Sequence, residues 1–169
     1  MKANPRVAFM LGTTAGMACR PNVISRGSAF RYSNAIPAMK AGFFPNTIST
    51  DLSSGSTNAF MKDMMNVMSK FLTMGMSLKE VIKASTWSPA KAIKREELGH
   101  LSAGAIADLV VFSLREGKFG FYETASYKMT GNKKFECEMT IKGGRIVYDL
   151  NGIATPLNNF FREGNQFRW

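Results

Sequence analysis

The sequence predicts an α/β fold with helices in its middle and strands towards its carboxy end. Three observations lead there: a short β-prone run at residues 47–50 that ends at Asp51, a helical apolar spacing across residues 61–76, and apolar, β-branched runs after Leu98. The 169 residues, 45% of them hydrophobic, suffice for one ordinary domain or two small ones. A complete (β/α)8 barrel needs roughly 250 residues, so if Asp51 ends a barrel strand, the chain carries only part of that barrel.

Composition excludes several classes of protein. The net charge of +10 comes from Lys and Arg that alternate with acidic residues along the helical segments, which is typical of solvated helix faces and predicts no nucleic-acid partner. No run of about 18 apolar residues is present, which predicts no membrane span. Cys19 and Cys137 lie far apart without CxxC or CxxH spacing, so a reduced, cytoplasmic setting is expected.

The first 28 residues keep neither the helical nor the strand period for long. Residues 7–11 follow Lys2 and Arg6 and have the outline of a short export signal, although polar residues and glycines interrupt the apolar region. A short strand or an irregular leader are the alternatives there, and residues 23–24 could form another short strand.

The next segment predicts a helix that begins after Ser33 or Asn34 and continues through Lys40. Ser33 or Asn34 is a suitable N-cap, Pro37 falls in the first turn, and Gly42 closes the helix.

Residues 47–50 are β-branched or small, as in a buried parallel strand of a barrel, and deliver Asp51 into a Ser/Gly-rich loop. An aspartate at the end of a buried strand must be hydrogen-bonded, metal-bound or neutralised to offset its desolvation. Asp51 is therefore the candidate catalytic residue. The alternative is that Asp51 merely caps a following helix.

Three further helices are predicted. The apolar stripe of residues 61–76 is rich in methionine, which favours core packing over a copper or haem site, and Gly75 ends it. Ser77 and Glu80 form a capping box for a helix over residues 78–85. Ser88 as cap and Pro89 at the first position then predict a helix that continues to Arg95.

Strands follow at residues 107–112, 135–141 and 145–149. The last two are predicted to form a hairpin, because Gly143 and Gly144 allow the positive φ angles of a two-residue primed turn. Residues 155–169 predict a surface tail whose aromatic side chains dock on the body.

With the elements in this order, the chain resembles the end of the amidohydrolase superfamily. Residues 78–92 are similar to its "L-x-E-x-I-x-x-x-T-x-N-P-A-K-A" helix pair, and residues 99–111 resemble its "G-x-L-x-x-G-x-x-A-D-L-V-V" passage into a small β-sandwich. Four segments look closest to the amidohydrolase/deacetylase branch, which is related to dihydroorotase: residues 38–43, 47–52, 62–64 and 148–152.

This resemblance implies the carboxy-terminal part of a (β/α)8 TIM-type barrel, its last strand and helices, at residues 29–95. Part of the flanking small β-sandwich would follow at residues 96–155, with a divergent segment at 1–28 and a tail at 156–169. It also implies a hydrolase of C–N bonds in amides or cyclic imides that uses a divalent metal, most often zinc. Asp51 would bind that metal and take the proton from the metal-bound water.

The family's other metal ligands, several histidines and often a carboxylated lysine, are not found. The one histidine, His100, matches a variable position and is interpreted as structural, Ser53 stands where the branch often has histidine, and residues 24–30 lack a histidine that usually lies there. One carboxylate cannot hold a catalytic zinc, so the chain alone is expected to bind no metal tightly and to be inactive. It would then be a truncated or frame-shifted product or the partner of a separate amino-terminal half. The alternative is a non-catalytic remnant or interaction module. Neither the small amide or imide substrate nor the oligomeric state follows from the sequence.

Overall fold

A computed structural model describes residues 7–9, 30–50, 52, 60–123 and 126–154, with the backbone alone at 7–9. The elements of this part, in chain order, are β1 Val7–Phe9, α1 Tyr32–Lys40, α2 Met64–Thr73, α3 Leu78–Ser85, α4 Trp87–Ala92, β2 Leu109–Tyr122, β3 Lys128–Lys142 and β4 Arg145–Asp149. The predicted α/β class is confirmed. The strand within residues 7–11 is present, whereas residues 23–24 lie outside the described part.

The strands form one antiparallel sheet in the order β1-β2-β3-β4. Strands β2 and β3 pair from Leu109 opposite Ile141 to Tyr122 opposite Lys128, so both are much longer than predicted. The middle of β2 carries charged residues, and one of them, Arg115, pairs with Glu136 of β3 at 3.0 Å. Such cross-strand pairs stabilise a sheet although single-strand patterning does not reveal them.

The hairpin between β3 and β4 is confirmed. Lys142 faces Arg145, and Gly143 and Gly144 between them have φ angles of 54° and 78°. Both values lie in the region that a primed two-residue turn needs and that glycine adopts without strain.

The core lies where α2 packs on β3. The hydroxyl of Ser69 accepts the backbone N–H of Phe135 at 3.0 Å and donates to the carbonyl of Met65 at 2.6 Å, which ties helix to sheet. The predicted role of the methionines is also confirmed: the buried ones belong to the core and the half-buried ones pack against it. The buried set is Met61, Met65, Met68 and Met76, and the half-buried set is Met64 and Met74.

Helix α1 begins at Tyr32, earlier than predicted. Neither Ser33 nor Asn34 caps it, and the N-cap position is Arg31, which makes no side-chain capping bond. Pro37 therefore lies in the second turn and not in the first. A distant carboxylate, that of Glu123, accepts the Tyr32 N–H instead, and local sequence gives no sign of it.

The carboxy end of α1 agrees with the prediction. Gly42 has a φ of 87°, and its N–H donates to the Met39 carbonyl at 3.0 Å. The N–H of Phe43 donates to the Ala38 carbonyl at 2.9 Å, which completes the pattern of a glycine-terminated helix.

The strand predicted at residues 47–50 is not formed. These residues pair with none of the described strands, and the N–H of Ile48 donates instead to the carbonyl of Ala84 in α3 at 2.8 Å. A β-prone run becomes a strand only beside another strand, and here its neighbour is a helix end. Ile48 is nevertheless buried, so its apolar character was interpreted correctly.

Helix α2 is shorter than the apolar stripe that predicted it. Asp63 is its N-cap and accepts the N–H of Asn66 at 2.7 Å, so Met61 lies before the helix although it is buried. Gly75, with a φ of 105°, follows the helix end as predicted.

The capping box of α3 is confirmed: the Ser77 hydroxyl accepts the Glu80 N–H at 3.3 Å, and the Glu80 carboxylate accepts the Ser77 N–H at 3.0 Å. The start of α4 was predicted wrongly. Thr86 takes the N-cap position without a side-chain capping bond, Pro89 is third in the helix, and the helix ends at Ala92. In the part of the chain that the structure describes, no helix is long and apolar enough to cross a membrane.

Candidate functional site

Asp51, the predicted catalytic and metal-binding residue, lies outside the described residues, as does Ser53. The structure does describe the two residues that adjoin Asp51 in the chain, Thr50 and Leu52. Thr50 is half-buried and Leu52 is 48% exposed. The candidate site is therefore built from the contacts that hold its two flanks.

The upstream flank is held by Ile48. Its side chain is 2% exposed within the core, and its N–H is bonded to Ala84 in α3. A buried side chain and a satisfied amide together fix the chain three residues before Asp51.

The downstream flank is held by a buried lysine of α2. The ammonium of Lys70 donates to the backbone carbonyl of Phe60 and lies 3.3 Å from the sulfur of Met61. Lys70 itself is 0% exposed. A lysine is almost never fully buried without a partner, and these contacts give the buried Lys70 its partners.

The pKa of Lys70 is lowered to about 8, mainly by burial and to a smaller extent by the positive charge of Lys62. The carboxylate of Glu123 acts in the opposite direction and favours the ammonium form. The pKa of Lys70 is therefore lowered less than the pKa of a buried lysine that has no negative charge nearby.

Glu123 connects the lysine to α1. It is 4% exposed, and its carboxylate accepts the backbone N–H of Tyr32 at the start of the helix. A carboxylate at this position also complements the positive end of the helix dipole. The Tyr32 hydroxyl donates to the carbonyl of Phe121 at 3.2 Å, and burial, followed by the charge of Glu123, raises the pKa of the phenol.

We refer to Tyr32, Lys70 and Glu123 as the buried polar cluster. It joins α1, α2 and the end of β2 next to the downstream flank of the candidate site. None of these three roles was predicted from the sequence. For Lys70 a signal existed, because it lies among the apolar residues of the α2 stripe. Nothing local identifies Glu123, whose partner is 91 residues away.

In the described part of the chain, no group of three His, Cys, Asp or Glu side chains is placed to hold a metal ion. Two carboxylates of the described residues have other partners: Asp63 caps α2, and Asp108 accepts the N–H of Gly143 at 2.7 Å. A catalytic zinc needs about three protein ligands, so these residues alone do not form such a centre.

His100 has structural contacts, in agreement with its interpretation from sequence. Its ring packs edge-on against Trp87, with centroids 5.9 Å apart, and its Nδ1 accepts the N–H of Ser102 at 3.3 Å. Gly99 allows this approach, since a Cβ there would lie 2.7 Å from the carbonyl oxygen of Thr86.

A cleft of about 900 Å³ opens between the start of α2 and the sheet. The residues that line it include Lys62, Asp63, Met65, Val147 and Tyr148. The volume is at the upper end of small-molecule pockets, which span roughly 300–1,000 Å³.

Comparison with known proteins gives the chain its family. The model of the amidohydrolase family matches residues 15–147. A deacetylase of Brucella anthropi is 30% identical over 133 residues, which are 79% of this chain and 33% of the relative. An imidazolonepropionase of Shouchella clausii is 34% identical over 143 residues, which are 81% of this chain and 30% of that protein.

Two solved structures share the fold. An adenine deaminase superposes with a TM-score of 0.69 at 26% identity, over 73% of this chain and 33% of its own. A dihydroorotase superposes with a TM-score of 0.67 at 28% identity, over 73% of this chain and 34% of its own. The chain thus spans about a third of the length of the relatives that it matches. Since the family model covers most of the chain and the folds agree, the chain belongs to the amidohydrolase family.

Proposed function

We propose that these residues form the carboxy-terminal part of a metal-dependent hydrolase that cleaves C–N bonds of amides or cyclic imides. The match to the amidohydrolase family over residues 15–147 carries the proposal, because it includes Asp51 and the helices that follow it. The deacetylase among the relatives and the dihydroorotase among the structures support a C–N bond as the target. In this scheme the barrel part occupies residues 29–95 and the sandwich part 96–155, with 1–28 as a divergent amino-terminal segment and 156–169 as a tail.

Asp51 has two roles in the proposal. As a carboxylate it contributes one ligand to a divalent metal, most often zinc, which supplies an activated water when bound. As a base it would accept a proton from the attacking water and pass it to the leaving nitrogen. The anchors at Ile48 and Lys70 support these roles, because they fix both flanks of the segment that carries Asp51.

The chain on its own is proposed to be inactive. It has one histidine, and that residue packs against Trp87. The remaining ligands would come from an amino-terminal portion of the enzyme. Strand β4 supports such a partner, because Ile146, Val147 and Tyr148 are all exposed. The reducing, cytoplasmic setting stays a prediction from cysteine usage, and Cys137 is a free thiol.

A second candidate is a non-catalytic interaction module in which Asp51 has a structural role. The absence of a three-ligand group from the described residues favours it. The two candidate functions predict different results when the rest of a family enzyme is supplied: Asp51 is needed for hydrolysis in the first and is not needed for it in the second.

A chimera tests the choice. The chain replaces the third of the Brucella anthropi deacetylase that it matches, and deacetylation and the zinc content are measured. The proposal expects activity and bound zinc in the chimera, loss of activity with Asp51→Asn, and no tight zinc in the isolated chain.

Asp63→Asn is the matched control, because Asp63 caps α2 and its amide replacement can still accept the Asn66 N–H. It is expected to leave the chimera active. Activity that survives Asp51→Asn would contradict the role of Asp51, and one tightly bound zinc per isolated chain would contradict the proposed dependence on an amino-terminal portion.

A further inference from the structure

We draw no further inference here: the strongest candidate, the cleft between the start of α2 and β4, belongs to the surface already assigned to the proposed amino-terminal portion of the enzyme, and nothing in the described residues points to any other occupant.

Discussion

The ammonium nitrogen of Lys70 lies 5.7 Å from the centre of the Phe30 ring, and both side chains are almost fully excluded from water. An ammonium above an aromatic face is attracted to the negative π-surface, and the attraction is stronger where water is absent. This contact and the bond to the Phe60 carbonyl replace part of the hydration that Lys70 loses.

The pH dependence of stability should report Lys70. Its pKa is about 8 in the folded chain against 10.5 ordinarily, so between these values the unfolded chain binds more protons. The free energy of unfolding should therefore rise with pH from about 8 upward, by at most about 1.4 kcal/mol per pH unit for one proton. Tyr32 has a raised pKa, so above pH 10 the unfolded phenol ionises first and the gain is offset.

Urea unfolding at several pH values between 7.5 and 10 measures this effect. Lys70→Met should remove the rise, and Lys79→Met, at an exposed position of α3, should keep it. An identical pH profile in the Lys70→Met variant would show that another group is responsible.

Removing the carboxylate that holds α1 should destabilise the chain. Glu123→Ala leaves the Tyr32 N–H without its acceptor, and a buried unsatisfied donor costs about 1–3 kcal/mol. Urea unfolding at pH 7 measures the loss. Glu116→Ala is the control, because that side chain is 79% exposed and its contact with Lys133 is long, at 4.0 Å. Equal effects of the two substitutions would contradict the role of Glu123.

A methyl group at Gly131 should disrupt the contact of α2 with β3. A Cβ there would lie 2.3 Å from the Thr73 hydroxyl and 3.0 Å from the Phe121 ring, so Gly131→Ala should cost about 1–3 kcal/mol in unfolding free energy. Gly120→Ala on the paired strand is the control. The Cβ at residue 120 would meet only the flexible side chain of Lys128, at 3.0 Å, and a comparable loss in both variants would argue against tight packing at Gly131.

The capping box of α3 should contribute measurably. Ser77→Ala removes the acceptor for the Glu80 N–H and is expected to lower the free energy of unfolding by about 0.5–2 kcal/mol. Ser88→Ala should change it by less than about 0.5 kcal/mol, because Ser88 lies inside α4 and is not its cap. Thermal or urea unfolding of the two variants distinguishes them, and a larger loss in Ser88→Ala would contradict the observed start of α4.

Two features that depend only on neighbouring residues were predicted correctly from sequence. The Ser77–Glu80 box and the Gly143–Gly144 turn each need a few adjacent residues with particular backbone angles or side-chain oxygens. The family resemblance likewise follows from consecutive residues, and the comparisons confirm it.

Features that depend on distant partners were not predictable in the same way. The run at residues 47–50 has the composition of a strand, but its neighbour is the carbonyl of Ala84, so it forms none. The start of α1 depends on Glu123, and the length of β2 depends on pairs such as Arg115 with Glu136. The role of Asp51 stays a prediction, since that residue lies outside the described part.

The bond between Glu123 and Tyr32 has a consequence for the order of events during synthesis. Helix α1 leaves the ribosome 91 residues before the group that satisfies its first amide, so it cannot be completed until β2 has been made. Contacts this distant in sequence form late because they require closure of a long loop. Helix α1, although it is the first of the described helices to be synthesised, should therefore be among the last to become stably folded.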